Sequence, residues 1–342
     1  MSHGNERDFD SCLPQNAKTK VYITVDTEAS IAGCFSNPTK NRPQLERPVF
    51  GYVNNQSQGL GFILETLKQY QQVATFFTES LQSRYFGQEP MSRVAQLIKS
   101  YHQDLQLHVH PCWTNFEDGR LISSKLNDHS TGRSVSELVD IFSDAIARFN
   151  HFGFGDPVAV RTGNFSTGLD TFKAFSQLGI KASSNIATEL HRPIEPQLQL
   201  TNGIHLIEQI IELPLTTFNS YSPIGVPRRR SMAITACSFN EMKHILLQAH
   251  QQRLHHICIL THPFEFFKTK GTTISANRLN QQRLVQLCQF IHCHQDKFET
   301  ATFSQLAQQK SHQTAINQSS LNGSYPLAIA RASQNFLYDT LN

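Results

Sequence analysis

The stretch DLQLHVHPCW, residues 104–113, carries two histidines two positions apart at the end of an alternating run. On a strand, Leu105 and Leu107 fall on one face, Gln106 and His108 on the other. His108 and His110 therefore share a face, about 7 Å apart along the chain. Pro111 has no N–H to donate, so it ends the ladder just behind them. Two imidazoles at a strand's end suit a divalent metal. A solvated pair arising by chance is the competing reading in a chain with 16 histidines, and His255-His256 reads as such a pair.

The same geometry recurs in KVYITVDTEAS. Val21, Ile23 and Val25 alternate with Tyr22 and Thr24, and the run ends in Asp26 and Glu28, again two apart on one face. Paired acids at the end of an apolar strand are costly unless they bind something. Two further strands end in chemistry-bearing residues: VAVRTGNFS at Arg161 and Gly163, and HICILTHPF at His262-Pro263. Cys112, beside His110, has no partners in the chain that would complete a nucleophilic-cysteine pattern. Glu212, just before Pro214, is either a partner of a histidine ligand or the last residue of its strand.

The elements that must position these residues follow one order. The helical spacing of GLGFILETLKQY separates the first strand from VATFFTES, and a helix at 91–101 leads into DLQLHVHP. Residues 29–58 and 114–134 read as polar loops over the strand ends. Ser134 and Glu137 match a capping box, opening a helix over 136–149. A helix at 169–178, the strands GIKASSNI and IIELPLTTF, helices at 238–252 and 276–292, and FETATFSQLAQQ complete the regular part. The result is seven apolar strands, mostly separated by helices, which implies parallel strands joined by helical crossovers. In such folds, sites gather at the carboxyl ends of the strands. Asp26, Glu28, His108, His110, Arg161 and His262 all fall there. An open doubly wound sheet would place its site at one switch point, so residues drawn from so many strands favour a barrel. There is no internal repeat.

Composition narrows the function classes. Hydrophobic residues make up 39% of the 342, charged residues 17%, and the net charge is +3. That balance argues against nucleic-acid binding. The run Arg228–Arg230 reads as a solvated loop, with contact to an acidic partner as the minority reading. Seven scattered cysteines without a CxxC argue against a disulfide framework. The polar leader, residues 1–18, lacks an apolar signal core, and no run reaches transmembrane length, so a cytoplasmic location is expected. The expected organisation is that leader, one barrel over 19–309, and a polar linker with a short helix over 310–342.

Together these stretches resemble the polysaccharide deacetylase superfamily, the NodB-homology group also called carbohydrate esterase family 4. VYITVDTE resembles its first acidic motif, VATFFTES its ATFF strand, and DLQLHVHPCW its metal-binding histidines. RTGNFS stands at its arginine motif, ILTHP at its last histidine strand, and FETATFSQLA at its C-terminal ending. The HxHP form and IELPLTTF look most like the WalW-like subgroup linked to capsule and lipopolysaccharide biosynthesis.

The resemblance implies a distorted seven-stranded (β/α) barrel and one divalent metal, zinc first, acting on an N-acetylated saccharide. It implies Glu28, His108 and His110 as metal ligands, Asp26 as base, Arg161 as its orienting partner and His262 as acid, with Asp26 and Glu28 open to exchanging roles. Trp113 and Phe264, which directly follow the histidine strands, are expected against the sugar ring, with core packing as the plainer alternative. Competing function classes are a catalytically inactive carbohydrate-binding or regulatory protein on the same barrel, suggested by Thr27 in the acidic motif, and a hydrolase of another amide or ester.

Overall fold

The computed structural model describes residues 17–309 and 320–341, so the polar leader and linker lie almost wholly outside the described residues. Seven strands form one parallel sheet: β1 (Thr19–Thr27), β2 (Thr75–Glu79), β3 (Asp104–Val109), β4 (Ala159–Thr162), β5 (Ala182–Ser183), β6 (Ile210–Glu212) and β7 (His256–Thr261). Their spatial order is β6-β5-β4-β3-β2-β1-β7. These are the seven strands expected from the sequence. His205–Ile207 adds an antiparallel edge to β6, and Phe298–Thr300 runs parallel to the start of β1.

The sheet curls until β6 and β7 nearly meet. Irregular backbone bridges the gap: Thr216 N donates to Cys258 O at 3.2 Å, Leu260 N to Met232 O at 3.0 Å, and Ile234 N to Leu260 O at 3.1 Å. The barrel is therefore closed on one side by loops, which is its distortion.

Helices α1 (Leu60–Gln69), α2 (Gln88–Ser100), α3 (Val135–Asn150), α4 (Leu169–Gln177), α5 (Phe239–Gln251) and α6 (Arg278–Cys293) surround the sheet, and α7 (Tyr325–Leu341) follows. The capping box at Ser134 and Glu137 is formed, and Ser238 with Glu241 makes a second one at α5.

Strand parity divides the core in two. Val21, Ile23, Val25, Leu105, Leu107, Val109, Ile257 and Ile259 pack outward against apolar helix faces such as Leu64, Ile98, Phe142 and Leu287. Tyr22, Phe77, Ala159, Cys258 and Leu260 pack in a separate inner cluster. Because successive side chains alternate, Thr24, Asp26, His108 and Arg161 take the inner face with the second set. The β-branched outer residues thus aim the polar ones inward. Among the described residues, no helix is long and apolar enough to cross a membrane.

Candidate active site

At the carboxyl ends of β1, β3, β4 and β7 the inner-face residues meet. His110 Nε2 lies 2.7 Å from Glu28 Oε2, and His108 Nε2 lies 3.4 Å from the same oxygen. The two rings stand nearly edge to face, with centroids 4.9 Å apart. Each Nδ1 is engaged elsewhere. His108 Nδ1 donates to the carbonyl of Arg161 at 2.9 Å, and His110 Nδ1 donates to Asp128 Oδ2 at 2.7 Å. Bonds of this kind set the tautomer and leave Nε2 pointing at the shared centre.

Asp26 belongs to a second, adjoining set. Its Oδ1 accepts from Arg161 Nη1 at 2.6 Å, and its Oδ2 lies 3.8 Å from His262 Nε2. The Arg161 guanidinium is wholly buried and fully partnered. It donates also to Thr24 Oγ1 at 2.9 Å, to the carbonyl of Ser184 at 3.0 Å and to Ser184 Oγ at 2.7 Å. The rings of Phe77 and Phe165 flank it at 4.5 and 5.2 Å. A buried cation needs this degree of satisfaction to persist.

Several residues of the site carry no obvious mark in the sequence. Asp128, from the polar loop, also accepts from Cys112 N at 3.1 Å and Asn164 Nδ2 at 2.8 Å. Glu79 ends β2 beside His108, the two being paired across the sheet, and its carboxylate accepts from the backbone N–H of His110 and, at 2.7 Å, of Leu81. Glu265 accepts from His262 Nδ1 at 2.9 Å and from Thr261 Oγ1 at 2.7 Å. Gly163 leaves room for His110: a Cβ there would sit 2.3 Å from Nδ1. The two residues after it, Asn164 and Phe165, hold φ of 56° and 53°, a strained pair of the kind that clusters at functional sites.

The electrostatics follow from this crowding. Burial raises the Glu28 carboxyl, but the imidazoles of His110 and His108 outweigh it and hold it well below the usual carboxylate range. Burial lowers His110, yet Glu28 and Asp128 on either side raise it well above the ordinary imidazole value. Burial pushes Glu79 up to about 8 against the opposing pull of His110. For His262, burial is outweighed by Glu265, Asp26 and Glu28, which together lift it to about 9. Two imidazole Nε2 atoms and a carboxylate oxygen at one point are a donor set that fits a divalent cation.

A cleft of about 670 Å³ opens beside Glu28, His110 and Asp128. Its walls come mostly from the two regions read as loops, including Ile31, Arg47 and Pro48, and from Phe264 and Phe267. Residues 29–58 are not wholly loop, since they contain a short helix, Glu46–Phe50, and a small hairpin. Phe264 is partly exposed and stacks on His262 with centroids 4.8 Å apart. Trp113 borders the cleft but is itself buried, packed on Phe116 and Phe86 at 5.2 and 5.9 Å.

Two sequence readings are decided by contacts. Glu212 accepts from Ser183 Oγ and from the backbone N–H groups of Asn185 and Ile186, so it anchors β5 and is not a partner of a ligand histidine. Burial pushes the Cys112 thiol far up, which leaves it a poor nucleophile.

No family model matches the chain, and no curated protein matches it. A solved structure does. A protein from Mycobacterium smegmatis, designated a polysaccharide deacetylase, superposes with a TM-score of 0.55 over 90% of this chain and 95% of its own, at 13% identity. The fold is the polysaccharide deacetylase barrel. A family 4 carbohydrate esterase from Streptomyces lividans, solved with acetate, gives 0.42 at 10% identity over 83% of this chain and 93% of its own. A family 4 pseudoenzyme from Bacillus anthracis gives 0.40 at 13% identity over 85% and 66%. Those two scores are too low to add to the fold assignment.

Proposed function

We propose that this protein is a metal-dependent hydrolase that removes N-acetyl groups from amino sugars, those of a polysaccharide or of a capsule or lipopolysaccharide precursor. One observation carries the proposal: the Nε2 atoms of His108 and His110 converge on the Glu28 carboxylate, while Asp26, Arg161 and His262 form a separate proton-handling set beside it. The HxHP form and the IELPLTTF strand support the saccharide-precursor class.

Glu28, His108 and His110 would hold the cation. A divalent ion there, zinc first, would make bound water more acidic and polarise a carbonyl. The partners support one division of labour between the two acids. Glu28 faces imidazoles, as a ligand does. Asp26 faces a guanidinium that holds its Oδ1 at 2.6 Å and leaves Oδ2 free on the His262 side, and it takes the proton of the attacking water. Arg161, held on every side, fixes the direction of that carboxylate. His262, kept protonated by Glu265, gives its proton to the departing nitrogen, because an amine leaves poorly without one. Phe264 and Trp113 bound the space for the sugar ring.

The test combines metal analysis with acetate release. Protein purified without chelator should hold about one equivalent of divalent metal, as a single site of this type requires, and should release acetate from N-acetylated saccharides. His108→Ala and His110→Ala should each lose most of the metal. Full retention in both variants would discard the ligand set. Acetate release from O-acetylated but not N-acetylated saccharides would make the enzyme an esterase.

A further inference from the structure

The run Arg228–Arg230 has no part in the site, yet it sits on an unusual surface. The hairpin Thr217–Tyr221/Pro227–Ser231 pairs Ser220 with Arg228 and Asn219 with Arg229. Its turn, Pro223–Val226, projects Ile224 at 84% exposure and Val226 at 48%. Arg228 and Arg229 alternate across the strand, so positive charge lies on both faces behind the apolar tip. Neither makes an ion pair or a side-chain hydrogen bond among the described residues. Arg230 is different. It is half-buried and donates to the carbonyl of Ala236 at 3.0 Å.

Helix α7 extends this surface. Tyr325 Oη donates to the carbonyl of Pro223 at 3.1 Å, and its ring packs edge-on to Tyr221 at 5.7 Å. From Tyr325 the helical period brings Ile329 and Phe336 onto one stripe, and all three are exposed, Phe336 at 68%. The opposite side holds the helix to the barrel through the buried pair of Arg331 and Glu241. At its far end Asp339 meets Lys268 at 3.2 Å. Lys268 is flanked by Phe267 and Thr269, which line the cleft. The stripe thus runs from the hairpin to the rim of the cleft.

From this we infer that the hairpin tip and the outer stripe of α7 form a docking surface for an anionic lipid bilayer. An apolar tip backed by arginines that form no ion pair among the described residues, continued by an exposed tyrosine and an apolar helical stripe, matches an interface whose outer layer is negative and whose depth is apolar. The charge selects a bilayer over a second copy. Two copies meeting through this face would bring Arg228 and Arg229 toward like charge: the hairpin carries no acid, and Asp339 on α7 is already met by Lys268.

Vesicle flotation tests it with the full chain. Vesicles of phosphatidylcholine and phosphatidylglycerol should carry the protein, vesicles of phosphatidylcholine alone should carry much less, and salt should weaken the binding. Each arginine near an anionic surface contributes roughly fivefold in partitioning, so Arg228→Gln with Arg229→Gln should lower it about 25-fold. Ile224→Ser with Val226→Ser, and separately Phe336→Ser, should lower it further on the same vesicles. All of these variants should keep the wild-type melting temperature and metal content, since none touches the site. Absence of wild-type binding to the anionic vesicles overturns the inference, as does binding that ignores these substitutions. A concentration-dependent dimer that Ile224→Ser disrupts, without vesicle binding, would assign the face to a second copy instead.

Discussion

Gly163 offers the sharpest perturbation, because it reaches the proposed metal centre without altering any donor. An added Cβ would lie 2.3 Å from His110 Nδ1, 2.4 Å from Cε1 and 2.5 Å from Cγ. Ordinary contact begins near 3.5 Å, so the ring would have to retreat by roughly 1 Å. It cannot do so freely, being held by Asp128 on Nδ1 and facing Glu28 on Nε2. Metal–ligand distances tolerate only about 0.2 Å, several times less than the displacement. Loss of an outer partner of a ligand typically costs 10–100-fold in metal affinity. Moving the ligand itself should cost at least about 100-fold on that scale. Gly163 does not hold a left-handed φ, so alanine brings no backbone penalty of its own. The assay is competition with a chelator of known affinity, alongside the melting temperature of the metal-free protein. Gly163→Ala should bind metal far more weakly, and by an amount beyond the modest destabilisation, about 1–3 kcal/mol for overpacking, that the melting temperature of the metal-free chain shows. Unchanged affinity would refute the claim that His110, in this position, is a ligand.

Other outcomes follow from neighbouring contacts. Arg161→Lys should keep its metal, since His108 is tied to the backbone carbonyl at 161 and not to the side chain. It should nevertheless lose much of its activity, because lysine lacks the planar fork; wild-type turnover would leave Arg161 a purely structural role. His262→Ala should retain metal and fold but slow deacetylation by about 10²–10⁴-fold, the usual contribution of a general acid, with a smaller effect on an ester substrate. Loss of metal in that variant would make His262 a ligand. With His262 raised to about 9, activity should persist through neutrality and fall as pH rises through that value, since the acid must be protonated. The same shift contributes stability that is complete below the unfolded value of about 6.5 and is lost as pH climbs through the folded one. Glu265→Gln removes the strongest partner of His262, so the alkaline limb should move down toward the ordinary value; a limb that stays in place would assign it to another group.

The sequence by itself determined which residues face inward. Parity did this: with Val21, Ile23 and Val25 committed to the helical layer, Asp26 has to take the opposite side, and Leu105, Leu107 and Val109 do the same for His108. A period of two is a local property, so it is legible without knowing the neighbours. The alternation of strands and helices likewise implied the parallel barrel, and Ser134 with Glu137 marked the start of α3 in four residues. Tertiary structure decided who the partners are. Asp128 lies eighteen positions beyond His110 in a polar loop, and only the path of that loop brings its carboxylate to Nδ1. Glu79 faces His108 through strand register, which parity within one strand cannot supply. Gly163 matters because a ring from another strand occupies the space where its side chain would be. Each of these depends on an approach between segments distant in the chain, and such distances are set by packing of the whole barrel, not by the order of residues along any one strand.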